Sequence, residues 1–234
     1  MSHTVLSFSK LSTGYADRVV SENLTARLEP EKVTCLLGSN GAGKSTLLRT
    51  LAGYQSPLGG SLGKVSPDTL GVVLTERMEL QGMTAWDVVA LGRHPYTGYF
   101  GSLSSEDARK VDDALTMAGI ETFASRRFAS LSDGERQKVM IAKVLAQETA
   151  IILMDEPTAF LDFPSKVQLM LLLRSLAHRQ GKAILLSTHD VALAMKTADV
   201  LWLMENKGME VGTPAELLQC GSIGRYLGES REYV

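Results

Sequence analysis

Apolar residues in this chain gather into short runs, and most of these runs follow a stretch of helical periodicity. Residues 32–37 form one such run and pass directly into a glycine-rich segment and then a helical pattern, which reads as strand, loop, helix. Residues 5–8 read as an earlier strand, separated from the first by a polar, turn-rich stretch. Further runs at 71–74, Ile151–Met154, 183–186 and 200–204 show no polar alternation. Runs of that kind belong to parallel strands covered on both faces. The expected fold is therefore α/β.

Between Gly82 and Gln147 the pattern changes to consecutive helices. The clearest covers residues 105–118, with a Ser/Asp/Glu-rich start and Gly119 as its stop. A later helix over 165–179 carries Val167, Leu169, Met170, Leu172, Leu173 and Leu176 on one stripe, the pattern of a core-facing helix. A further helix begins at Thr213-Pro214. No repeat, heptad array or low-complexity tract interrupts this order. The organisation expected is one domain, with a core from 1–80 and 148–234 and a helical subdomain at about 81–147.

Composition narrows the function. With 44% hydrophobic and 21% charged residues the chain is globular, and a net charge of -2 gives no basic patch, so nucleic acid is not an expected partner. No apolar run reaches the length of a membrane-spanning helix, and residues 1–10 lack a signal-peptide pattern, so a cytosolic protein is expected. Cys35 and Cys220 are then read as reduced thiols.

Three segments carry chemistry. Gly38-Ser39-Asn40-Gly41-Ala42-Gly43-Lys44-Ser45-Thr46 is a P-loop pattern, in which backbone N–H groups wrap phosphates at a helix N-terminus. In that pattern Lys44 holds the β/γ-phosphates and Ser45 a Mg²⁺ ion. A dinucleotide fingerprint fits less well, because Thr46 stands where a third glycine or alanine would be expected. The strand Ile151–Met154 ends in Asp155 and Glu156, at the carboxyl end where α/β sheets bind ligands. Asp155 is assigned to the metal shell and Glu156 to polarising the attacking water. Ser132 can cap a helix running to Gln147, and Gly134 permits close backbone approach, so this helix end forms a second candidate phosphate site.

Leu131-Ser132-Asp133-Gly134-Glu135-Arg136-Gln137, placed before the Asp155–Glu156 strand, resembles the signature motif of ABC transporter ATPases. Asp133 and Glu135 depart from that family's commonest form, Leu-Ser-Gly-Gly-Gln. The resemblance implies a P-loop NTPase core with a mainly parallel sheet, N-terminal antiparallel β strands and an inserted helical subdomain. It implies ATP and Mg²⁺ bound between two copies of the chain, with Ser132, Asp133, Gly134 and Glu135 of one copy facing the nucleotide of the other. Tyr15 resembles the aromatic that stacks on adenine, Asp162 the acid of the D-loop, and His189 in Ser187-Thr188-His189-Asp190 the switch histidine. The family's glutamine after strand 71–74 is replaced by Thr75-Glu76-Arg77; Thr75 or Glu76 is expected to take its place, with Glu76 favoured as a Mg²⁺ ligand.

Within the family, Gly92-Arg93-His94-Pro95-Tyr96 is similar to ATPases that serve importers of ferric siderophores, haem and cobalamin. The resemblance implies an integral membrane permease as partner, a periplasmic or surface substrate-binding protein acting indirectly, and a peripheral location on the cytoplasmic face of the inner membrane. Trp86, Arg93 and Tyr96 are expected to anchor the permease; Trp86, Val88, Val89 and Leu91 also read as core packing, and the two readings can hold together. An exporter ATPase or a soluble ABC ATPase is the competing expectation. His3, His94 and His178 are left as surface or packing residues.

Overall fold

The computed structural model describes residues 6–16, 18–74, 80, 82–98 and 101–228. Two strands, β1 (Leu6–Tyr15) and β2 (Arg18–Leu28), form an antiparallel hairpin, followed by β3 (Val33–Gly38) and α1 (Lys44–Leu51). After these come β4 (Gly59–Leu62), β5 (Leu70–Val73), α2 (Ala85–Ala90), a 3₁₀ turn at Leu91–Tyr96 and α3 (Ser105–Met117). The chain continues through α4 (Asp133–Ala146), β6 (Ile151–Met154), α5 (Phe163–Gln180), β7 (Ala183–Ser187) and α6 (Val191–Thr197). It ends with β8 (Val200–Glu205), β9 (Gly208–Gly212), α7 (Pro214–Gln219) and α8 (Ser222–Gly228).

The main sheet runs β5-β6-β7-β3-β8-β9, with only β9 antiparallel. Strands β3, β6 and β7 are buried on both faces, as their unbroken apolar runs require, whereas the edge strand β9 is not. In β3, Val33, Cys35 and Leu37 point into one core with α2–α7, while Leu36 points into the other. That second core holds α1 and the smaller sheet β2-β1-β4, where Phe8 meets Trp202 edge to face with centroids 5.5 Å apart.

The stretch expected to be turn-rich between 9 and 31 is instead most of the β1–β2 hairpin. Register shifts between Phe8 and Leu11, Leu11 and Thr13, and Thr13 and Gly14 break the alternation of two by which a strand is recognised. The expected helices over 105–118 and 165–179 match α3 and α5, and Gly119 (φ 66°) and Gly181 (φ 69°) take the left-handed conformation just past their ends.

Candidate nucleotide site

β3 delivers the chain to α1 through a loop with two glycines in the left-handed region. Gly41 and Gly43 have φ values of 82° and 99°. A Cβ on Gly43 would lie 2.7 Å from both Ser21 Oγ and Val20 Cγ1, so the loop also needs glycine for space. Gly43 is the N-cap of α1; it supplies no side-chain cap, and the first turn carries no acid. The first backbone N–H groups of that helix and its positive dipole end are thus left for an external anion. Lys44 is 5% exposed and its Nζ donates to the carbonyls of Gly38 (2.8 Å) and Ser39 (3.1 Å). Burial lowers its pKa, and the carboxylates of Glu156 and Asp155 oppose that shift.

A cleft of about 710 Å³ opens over this loop, within the range of small-molecule sites. Asn40, Gly41, Gly43, Lys44, Ser45, Thr46 and Glu156 line it, and Tyr15 closes one side with its ring half exposed. The Thr46 hydroxyl lies 3.4 Å from the Tyr15 hydroxyl. Arg18, the cross-strand partner of Tyr15, and Lys207 also line it and were not singled out from sequence. Arg18 begins β2 and Lys207 occupies the β8–β9 turn, so no local pattern joins them to the P-loop.

The two acids follow β6. Ser187 at the end of β7 donates to Asp155 Oδ1 (2.7 Å) and accepts from the backbone N–H of Glu156 (2.8 Å). Ser187 therefore orients both acids, a role that its place in sequence 31 residues downstream does not disclose. Glu156 sits at φ 48°, a left-handed conformation costing a non-glycine residue roughly 1–2 kcal/mol. The hydrogen bond to Ser187 holds it there and turns its carboxylate to the cleft. His189 Nε2 contacts Glu156 Oε1, which joins the expected switch histidine to the expected base.

The signature segment lies elsewhere. Ser132 is the N-cap of α4 and forms a reciprocal capping box with Glu135: the Ser132 N–H donates to Glu135 Oε2 (2.7 Å), and the Glu135 N–H to Ser132 Oγ (3.3 Å). The backbone N–H of Ser132, followed by its hydroxyl, holds the Glu135 carboxyl below its ordinary pKa. Ser132, Gly134 and Glu135 line a separate hollow of about 220 Å³ with Leu161 and Ser165. Asp133 pairs with Arg136, and Asp162 caps α5 by accepting from Ser165 N at 3.0 Å. None of Ser132–Glu135 or Asp162 lines the P-loop cleft of its own chain. Thr75 and Glu76 lie outside the described residues.

One expectation is overturned. Arg93 is 5% exposed: its guanidinium pairs with Asp107 (2.9 Å) and Glu148 (2.9 Å) and donates to Ala146 O (2.7 Å). A guanidinium buried among two carboxylates and a carbonyl is not available as a permease anchor. Trp86 is half-buried and donates its indole N–H to Asp112 at 2.8 Å; Val88 and Val89 are core residues as expected, whereas Leu91 is exposed. His178 pairs with Asp199.

A strand–P-loop–helix unit, with two acids at the end of a parallel strand one place removed in the same sheet, defines a P-loop nucleotide-binding protein of the α/β class. The model of the ABC transporter family matches residues 21–159. An uncharacterized ABC transporter ATP-binding protein of Methanocaldococcus jannaschii is 41% identical, covering 92% of this chain and 78% of that one. The iron(3+)-hydroxamate import ATP-binding protein of Bacillus subtilis is 36% identical, covering 92% and 86%. Among solved structures, a metal-chelate type ABC transporter in an inward-facing conformation superposes with a TM-score of 0.85 at 29% identity, covering 92% of this chain and 85% of its own. The chain belongs to the ABC transporter family and is an ATPase of that type. Among the described residues no helix is long and apolar enough to cross a membrane.

Proposed function

We propose that this chain is the ATP-hydrolysing subunit of an importer, working as a head-to-tail dimer on the cytoplasmic face of the membrane beneath a separate permease. One observation carries the reading: the chain holds a cleft lined by Lys44 and Glu156, and the signature end of α4, which the family resemblance assigns to a nucleotide, does not open into that cleft but into a hollow of its own. A second copy, turned head to tail, would bring the α4 end of one chain over the P-loop of the other. The core at 1–80 and 148–234 would carry the cleft and the helical subdomain at about 81–147 the signature. The cargo proposed is a metal chelate of the ferric siderophore class, supported by the iron(3+)-hydroxamate import relative and the metal-chelate type neighbour.

In this reading Tyr15 stacks on the adenine, the loop from Gly38 to Gly43 and Thr46 wrap the phosphates, and Lys44 holds the β/γ-phosphates. The donors at hand, the Ser45 hydroxyl and the Asp155 carboxylate, are oxygens that suit Mg²⁺; no cluster of three or more His, Cys, Asp or Glu able to hold a metal occurs among the described residues, so the ion would arrive with the nucleotide. Bound there, Mg²⁺ would neutralise charge developing on the phosphates. Glu156 takes a proton from the attacking water as the water oxygen bonds to the γ-phosphorus and the bond to the ADP oxygen breaks. His189, in contact with Glu156, holds that carboxylate in place. Glu156→Gln tests this: it is expected to bind Mg-ATP with near-normal affinity while hydrolysing it at least about 100-fold more slowly. Wild-type turnover would remove Glu156 from the role of base.

A further inference from the structure

The Leu91–Tyr96 turn grips the far end of the signature helix. Gly92 is buried against α4, and a Cβ there would come within 2.2 Å of Lys143 O, so only glycine lets the two backbones approach this closely. Arg93 donates to Ala146 O (2.7 Å) and the Tyr96 hydroxyl to Gln147 O (2.7 Å). These are carbonyls of the last turn of α4, whose partners within a helix are missing. The guanidinium also places positive charge at the negative end of the helix dipole. The Tyr96 ring in turn lies 3.9 Å from the Arg93 guanidinium carbon. Glycine, arginine and tyrosine at these spacings thus have one shared target. On the other side Gly71 of β5 faces the same end of α4, where a Cβ would come within 2.2 Å of Val144 Cγ1.

α4 is a 14-residue helix with Ser132 as its N-cap, so the gripped end lies about 21 Å from the capping box. A straight helix held at one end has its other end directed by that hold. Arg93 additionally pins Glu148, whose backbone is left-handed (φ 56°) in the link between α4 and the β6 strand that leads to Asp155.

We propose that Gly92, Arg93 and Tyr96 are positioning residues for ATP hydrolysis: by holding the C-terminal end of α4 they set where Ser132 and Glu135 stand. This inference rests on the reading of Ser132 as part of a composite site. It replaces the idea of Arg93 as a surface anchor with that of a fixed link between the segment expected to face the permease and the signature end.

The test is a double-mutant cycle on the full chain. Tyr96→Phe keeps the ring against Arg93 and removes only the hydroxyl bond to α4. It is expected to lower kcat about 5-fold with KM for ATP within about 2-fold, because the P-loop cleft is untouched. In a Ser132→Ala background the same change should have no further effect beyond about 2-fold, whereas distant sites acting independently would multiply. Gly92→Ala is expected to lower kcat in the same way, with its effect likewise absorbed by Ser132→Ala. Wild-type kcat in Tyr96→Phe, or effects that multiply with those of Ser132→Ala, would overturn the grip as a positioning device. Wild-type turnover by Ser132→Ala alone would instead overturn the composite-site reading beneath it.

Discussion

Gly43 meets two demands at once, a left-handed φ of 99° and contact with Ser21 and Val20 from the N-terminal hairpin. Gly43→Ala should therefore lose ATP binding by at least about tenfold, since either the loop or the hairpin must move. Isothermal titration with Mg-ATP checks this, and a dissociation constant within twofold of wild type would show that the loop adapts. Ser187 acts in a comparable way through one hydroxyl that serves two acids. Ser187→Ala leaves the Glu156 N–H without its acceptor, and slower hydrolysis by about tenfold with binding retained is expected from steady-state kinetics.

At the scale of elements, the junction of the Leu91–Tyr96 turn, α3 and the α4–β6 link is held by charge. Arg93 joins Asp107 of α3 to Glu148 of the link, and Lys110 also reaches Glu148. Removing the arginine leaves the Asp107 carboxylate short of a partner in a mostly buried place. Arg93→Met is expected to destabilise the chain by about 2–3 kcal/mol, less than a fully buried pair would lose because Glu148 is partly in water. Urea denaturation measures it. The pH dependence has a defined sign. Glu148 is held below its ordinary pKa by Lys110 and then Arg93, and Asp107 by Ser104 and then Arg93. Their contribution is present above the ordinary carboxylate range and is lost as pH falls through the lowered folded values. Wild-type stability should thus decline between about pH 5 and pH 3, and the decline should be shallower in Arg93→Met.

At the scale of the whole molecule the proposal concerns assembly and cargo. Glu156→Gln with Mg-ATP should elute as a dimer, and without nucleotide as a monomer, because the composite site closes only around a bound and unhydrolysed triphosphate. A single nucleotide-independent elution position would speak against the ATP-dependent sandwich. Loss of this chain from its source cell should abolish growth on a ferric siderophore as sole iron source. Normal growth there, with loss of another solute's uptake or export, would discard the cargo and leave the ATPase standing.

Sequence by itself determined the five parallel strands, the P-loop, the two acids and the signature helix, because each is a local arrangement: an apolar run, a glycine spacing or a cap written within a dozen residues; it did not disclose β4 or β9, which lack an apolar run. The end of α3 was legible for the same local reason, Gly119 standing where it stops. The β1–β2 hairpin was not, since its bulges erase the alternation that marks a strand. Only the tertiary structure decided that Ser187 orients the acids, that Arg18 and Lys207 wall the cleft, and that Arg93 is buried under Tyr96 at the end of α4. In each case the partners are brought together by strand order and helix packing across long stretches of chain, and a side chain's burial or hydrogen bond depends on neighbours that its own segment does not name.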